Sequence, residues 1–170
     1  MALIYITGAP GSGKTSLQKE LQSRGYETHD LDDHSLGGPY NKSTNKLVVI
    51  PPTDKRTPEW FDEHEWRIYP EAIKDLKEQA AAKDIFICGV AASDGDILPL
   101  FDKIFYLDID DSTLKERLSS RSDNDYGQND FEVSEIITRK HGLDSKYAGQ
   151  DAIHINATQS IDKVADDILV

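Results

Sequence analysis

The chain has 170 residues, 38% of them hydrophobic and 29% charged, with a formal net charge of −12. It has no apolar run long enough to cross a bilayer, no basic-then-apolar leader, and one cysteine, Cys88, so a membrane span, a signal peptide and an internal disulfide are not expected. The length suits one domain over residues 1–170, the acidic balance disfavours nucleic acid backbones as partners, and a cytoplasmic monomer is the default expectation.

Leu3-Ile4-Tyr5-Ile6 is a short apolar run that predicts a buried strand. Gly8-Ala9-Pro10-Gly11-Ser12-Gly13-Lys14-Thr15 follows and fits G-x-x-x-x-G-K-[ST], the phosphate-binding P-loop. Ser16 to Arg24 then reads as a helix, with Leu17 and Leu21 on one face and Gly25 as its stop. The residue types fit the chemistry. Glycines let backbone N–H groups crowd around phosphate oxygens, and the positive end of the helix faces the anion. Lys14 is suited to the β- and γ-phosphates and the Thr15 hydroxyl to magnesium. A nucleoside triphosphate, ATP, held with Mg2+ is therefore expected on residues Gly8 to Ser16.

Tyr26 to Asp30 reads as a second strand whose carboxyl end carries Asp30, Asp32 and Asp33. Ligands of parallel α/β sheets sit outside that end of the strands, so these acids either serve magnesium and a proton or cap the next segment. Residues 34–56 are turn-rich, with a short strand expected over Lys46 to Ile50. So long a connection suits a binding element. Thr57-Pro58-Glu59 resembles a helix start. Trp60, Phe61 and Trp66 either form a small apolar cluster or stack on an aromatic acceptor, and Glu65-Trp66-Arg67 leads towards a helix over Glu71 to Ala82.

Ile85 to Val90 is apolar throughout, as a central parallel strand should be. A helical turn is expected over Asp94 to Leu100, a fourth strand over Lys103 to Asp108, and then a helix capped by Ser112 that carries Leu114, Arg117, Leu118 and Arg121. Polar residues 122–129 precede a helix from Phe131 to Tyr147, interrupted at Gly142. A fifth strand, Ala152 to Asn156, and a closing helix, Gln159 to Leu169, complete the chain. The alternation predicts an α/β fold with a parallel sheet between helices. Cys88 reads as a small buried residue, and the five histidines show no metal-site spacing.

Together these stretches resemble the P-loop small-molecule kinases, the group of shikimate, gluconate and nucleoside monophosphate kinases. The resemblance implies a three-layer fold with a five-stranded parallel sheet in the order 2-3-1-4-5. Ile104 to Asp108 with Leu114 to Leu118 and Arg121 looks like the group's strand–helix–lid passage, which implies a lid over about 117–130 and phosphate contacts from Arg117 and Arg121. A surface ion pair is the other reading of Arg117. Ile155 to Gln159 looks like the group's last strand and loop, which implies that Asn156 and Ala157 border the adenine. Asp30-Leu31-Asp32 resembles the D-x-D of the shikimate kinase branch, which implies magnesium at Asp30 and the acceptor hydroxyl at Asp32. Trp66-Arg67 with Glu71 is similar to that branch's aromatic–Arg…Glu pattern, which implies that Arg67 grips an anionic acceptor group. A salt bridge from Arg67 to Glu63 or Glu71 is the other reading. Gly89 is expected on the acceptor side, and an acceptor-binding insertion is expected over about 34–67.

The chain departs from that branch at Gly89-Val90-Ala91-Ala92, in place of consecutive glycines, and at Arg121-Ser122-Asp123, in place of a basic–proline lid. These departures argue against shikimate itself and leave nucleosides, nucleoside monophosphates and small hydroxy acids as acceptor classes. The expected activity is phosphoryl transfer from Mg·ATP. The rival is a nucleotide-binding regulator read by a protein partner. Against the rival, the third strand ends Cys88-Gly89 without the acid of an ordinary ATPase, and no N-K-x-D guanine motif occurs.

Overall fold

The computed structural model describes residues 1–52, 57–90, 94–120 and 130–170. In chain order its elements are β1 (Leu3–Thr7), α1 (Lys14–Ser23), β2 (Glu27–Asp30), β3 (Gly37–Asn41), β4 (Lys46–Leu47), α2 (Pro58–Glu63), β5 (His64–Ile68) and α3 (Pro70–Gln79). Then come β6 (Ile85–Cys88), two short 3-10 turns (Asp94–Asp96 and Leu98–Leu100), β7 (Lys103–Asp108), α4 (Asp111–Ser120), α5 (Asp130–Ala148), β8 (Ile153–Asn156) and α6 (Ile161–Ile168).

Strand pleating explains the three layers. Side chains of β1 alternate between faces. Ile4 and Ile6 point to a core shared with Leu17 and Leu21 of α1, Leu114 and Leu118 of α4, and Val164 and Ile168 of α6. Leu3 and Tyr5 point to the opposite core, with Ile73 and Leu76 of α3. Helix α5 serves both, giving Ile136 to the first core and Tyr147 to the second. The five parallel strands run β2-β6-β1-β7-β8, which in order of parallel strands is 2-3-1-4-5, as the resemblance implies.

The largest departure from expectation is a second, antiparallel sheet, β4-β3-β5, built from the stretch read as turns and as the approach to a helix. Residues 64–68 alternate with period two: Ile68 is buried and Trp66 half-buried on one face, while Arg67 pairs with Glu65 on the other. The turn-like Gly37-Gly38-Pro39 is β3, because the Trp66 and Tyr69 rings lie where side chains at Gly37 and Gly38 would stand. The strand expected over Lys46 to Ile50 is only Lys46–Leu47, and Val49 is 91% exposed, so nothing packs there to extend it.

Two helices also differ. Gly142 does not interrupt α5, which is continuous from Asp130 to Ala148. A glycine costs a helix only about 1 kcal/mol, and here Ile136, Leu143 and Tyr147 are held by the two cores. Asp110, not Ser112, caps α4: its carboxylate accepts from the Thr113 amide at 2.8 Å and from both the Ser112 and Thr113 hydroxyls. Asp suits the cap because its two oxygens serve several donors at once.

Candidate active site

A cavity of about 580 Å³ opens at the carboxyl ends of β1, β2, β6 and β7. Residues Pro10 to Ser16 form one wall, Asp30 and Asp32 another, and Cys88, Gly89 and Val90 the floor of the acid side. Arg117, Ala157, Gln159, Ile161 and Val164 close the far end.

The P-loop begins where β1 ends and turns into α1 at Gly13, whose φ of +101° is a left-handed value that side chains resist. Among the described residues no side chain caps α1, and its first turn carries no acid, so its leading N–H groups are left for a ligand beside the cavity-lining loop. Among the described residues the buried Ser12 hydroxyl has no hydrogen-bond partner. Gly8 and Ala9 do not line the cavity; their carbonyls accept from Lys14 Nζ at 2.6 and 2.9 Å and draw the ammonium across the loop. An uncapped helix start, an unsatisfied buried hydroxyl and a lysine over the loop fit a polyphosphate.

Arg117 reaches this wall from α4. Its guanidinium donates to the Ser12 carbonyl at 3.3 Å and to the Ala157 carbonyl at 2.7 Å. It thus bridges the P-loop and the loop after β8, and among the described residues no carboxylate pairs with it. Arg121 and the polar stretch expected as a lid lie outside the described residues, which end at 120 and resume at 130.

On the opposite wall, Asp30 sits in register with Cys88 at the end of β2. The Leu31 amide donates to the Cys88 carbonyl at 2.9 Å and carries the strand pairing one residue further. Asp30 Oδ1 accepts from the Asp32 amide at 2.9 Å, a turn that puts both carboxylates on the cavity. Gly89 makes this turn possible by close approach: a Cβ there would stand 2.5 Å from Leu31 Cβ. Its carbonyl accepts from the Tyr5 hydroxyl at 3.2 Å. Trp66 Nε1 donates to the Leu31 carbonyl at 3.1 Å, so the antiparallel sheet braces the same turn. Desolvation by the surrounding protein raises the Asp32 pKa above the usual carboxylate value, Asp30 adds to the rise, and Lys14 opposes it. Burial pushes the Cys88 thiol up to about 12, so it stays protonated in the floor.

Thr15, Asp30 and Asp32 supply hard oxygen donors on one cavity. Among the described residues no group of three or more His, Cys, Asp or Glu could hold a metal by itself. Beside a nucleotide, magnesium takes one or two protein oxygens and completes its shell with phosphates and water, and Thr15 and Asp30 are residues that could supply them.

Arg67 does not line this cavity. It donates to Glu65 through Nε and Nη2, both at 2.6 Å, reaches Asn45, and lies 5.1 Å over the Tyr40 ring. The partner is Glu65 rather than Glu63 or Glu71 because Arg67 is in a strand, where residues two apart share a face. Trp60 stacks on His64, with ring centroids 4.5 Å apart, while Trp66 meets His34 edge-on; the Phe61 side chain lies outside what is described. Asn156, expected beside the adenine, does not line this cavity, and its Oδ1 accepts from the Thr158 amide and hydroxyl at 3.0 and 2.7 Å. Gln18, Leu107, Gln159, Ile161 and Val164 also line the cavity, though none of them is among the residues expected to bind from sequence. For Gln159 the one available signal was its place in the loop after the last strand.

The comparisons agree with this architecture. The chain spans 98% of its length in superposition on the shikimate kinase of Aquifex aeolicus (TM-score 0.57, 18% identity, 93% of that chain). It does the same on a gluconokinase from Sinorhizobium meliloti (0.54, 16%, 88% of that chain). For the deoxyadenosine kinase of M. mycoides solved with dATP, the TM-score is 0.53, the identity 13%, and the coverage 98% of this chain and 97% of that one. No curated protein matches by sequence. The fold is thus that of the P-loop small-molecule kinases. The AAA domain family matches residues 4–138, most of the chain, and the protein belongs to that family.

Proposed function

We propose that the protein transfers the γ-phosphoryl group of ATP to a hydroxyl of a small acceptor. The observation that carries this reading is one cavity with a P-loop, Lys14 and Thr15 on one wall and the paired carboxylates Asp30 and Asp32 on the other. The loop amides and Lys14 hold the β- and γ-phosphates. Thr15 and Asp30 would hold magnesium, which would supply charge neutralisation when bound. Asp32 accepts a hydrogen bond from the acceptor hydroxyl and takes its proton as the new P–O bond forms and the bond to the β-bridging oxygen breaks, releasing ADP. Arg117 meets negative charge developing on the transferred group, and Arg121 is proposed to join it. Positioning and charge do most of this work, because the transferred group needs little covalent help.

The acid side of the cavity favours an uncharged acceptor such as a nucleoside over a hydroxy acid or a nucleotide. Its described side chains are the two carboxylates, the Cys88 thiol and Val90, and Arg67, the cation expected to grip an anion, is engaged by Glu65, Asn45 and Tyr40. The test is ADP release with Mg·ATP against nucleosides, nucleoside monophosphates, sugar acids and shikimate. Acceptor-dependent release is expected, cut by a factor on the order of 100 or more in Lys14→Ala and little changed in Arg67→Ala. Near-normal transfer by Lys14→Ala overturns the mechanism. Nucleotide binding with no acceptor-dependent release favours a regulator, with the β4-β3-β5 sheet as the surface to probe for a partner.

A further inference from the structure

The peptide group between Leu31 and Asp32 is held at both ends. Its N–H donates to Asp30 Oδ1 at 2.9 Å, and its carbonyl accepts from Trp66 Nε1 at 3.1 Å. Asp30 belongs to the turn itself, so the indole is what ties this peptide to the antiparallel sheet. One peptide earlier, the Leu31 N–H is secured by the Cys88 carbonyl of the parallel sheet. The indole has a fitted place: a Cβ at Gly37 of β3 would stand 2.6 Å from Trp66 Nε1, and the ring meets His34 edge-on with centroids 5.3 Å apart. Trp66 is half-buried and does not line the cavity, so it is not placed to stack on an acceptor there. A planar peptide turns as one unit about the soft dihedrals on either side of it. The bond from Trp66 therefore fixes the direction in which Asp32 leaves the chain.

We propose that Trp66 is a positioning residue for phosphoryl transfer: its indole N–H, bonded to the Leu31 carbonyl, holds the Asp32 carboxylate in place across the cavity from Lys14. This rests on the reading of Asp32 as the group that takes the acceptor's proton. The aromatic residue of the antiparallel sheet thus acts on the reaction through the backbone and touches neither nucleotide nor acceptor. Without the indole N–H, the carbonyl of Leu31, a fully buried residue, must turn to find another donor. Asp32 turns with it, and a misplacement of about 1 Å can cost a reaction on the order of 100-fold.

The test is ADP release with Mg·ATP by the wild type, Trp66→Phe, Asp32→Asn and the double variant, using the nucleoside, nucleoside monophosphate, sugar acid or shikimate that the wild type turns over fastest. Phenylalanine keeps an aromatic ring and removes the donor. Trp66→Phe is expected to lower kcat by a factor on the order of 10 to 100, with the affinity for Mg·ATP, titrated by calorimetry, little changed. In the Asp32→Asn background the same substitution is expected to cost less than about twofold, because a residue that acts through Asp32 has nothing left to position. A merely structural role would lower both backgrounds alike. A second measurement needs no variant at position 66. The chain has two tryptophans, so the indole N–H signal that survives in Trp60→Phe belongs to Trp66, and in the wild type it is expected to exchange slowly with solvent. A normal kcat in Trp66→Phe, an equal loss in both backgrounds, or an indole N–H that exchanges as fast as a free one overturns this inference and leaves the phosphoryl-transfer reading standing. No acceptor-dependent release by the wild type overturns that reading and this inference with it.

Discussion

Asp32 faces the cavity with Asp30 two residues before it and Lys14 across from it, and burial, then Asp30, raises its pKa. A group whose pKa is higher in the folded protein binds its proton more tightly there than in the unfolded chain. It therefore favours folding below the usual carboxylate pKa, and that contribution is lost as pH rises through the raised value. The proposed transfer would need the opposite state, since only an ionised carboxylate could accept the acceptor's hydroxyl proton. The transfer rate is thus expected to rise with pH through a limb lying above the ordinary carboxylate range. Asp30→Asn, which removes a neighbouring negative charge, shifts that limb to lower pH. Asp32→Asn is expected to abolish the limb and to raise the thermal midpoint at neutral pH, with the gain vanishing in acid. A pH–rate profile and melting curves across pH check both, and an unmoved limb in Asp30→Asn would separate the limb from Asp32.

Helix α4 brings Arg117 to the P-loop, and its start is fixed by Asp110. Hydrogen bonds from Ser112 and from Thr113 hold the Asp110 carboxyl well below the usual range. A lowered pKa gives stability that is present above the unfolded value and lost as pH falls through the folded one, so the cap is fully formed at neutral pH. Asp110→Ala is expected to lower the thermal midpoint at neutral pH and to weaken nucleotide binding through Arg117, whereas Asp110→Asn, itself a good cap, retains most of both. The comparison is made by melting and triphosphate titration, and equal midpoints for wild type and Asp110→Ala would remove the cap from the account. At the same scale the small antiparallel sheet braces the acid wall through Trp66 and Leu31. Its strands were hard to read because β3 is Gly37-Gly38-Pro39-Tyr40-Asn41, residues that signal a turn by local preference and become a strand only when β5 pairs with them.

For the whole molecule, binding and folding are linked. A ligand that binds the folded chain alone stabilises it by about 2.7 kcal/mol at 100 times its dissociation constant. Mg·ATP is therefore expected to raise the thermal midpoint in proportion to the logarithm of its concentration, and Lys14→Ala to lose most of that rise. An equal rise in Lys14→Ala would move the nucleotide away from the P-loop. Among the described residues no helix is long and apolar enough to cross a membrane.

The P-loop, the strand before it, the helix after it and the five-stranded parallel sheet were legible in the amino-acid sequence because each rests on neighbours in the chain: a motif of eight consecutive residues, apolar runs, and helical spacing. Asp30 and Asp32 were legible as strand-end acids for the same reason. What only the tertiary structure decided depends on distant partners. Arg117 meets a carbonyl 105 residues before it and another 40 after it, where sequence left a surface ion pair nearly as open as a phosphate contact. Arg67 faces Glu65 and Tyr40 instead of the cavity, because pairing with β3 makes residues 64–68 a strand and fixes which side each one faces. Gln159 donates to a carboxylate eight residues further on, in the last turn of α6. Local chemistry chose the residues for phosphate; the packing of remote elements chose which of the other polar groups share a cavity with it.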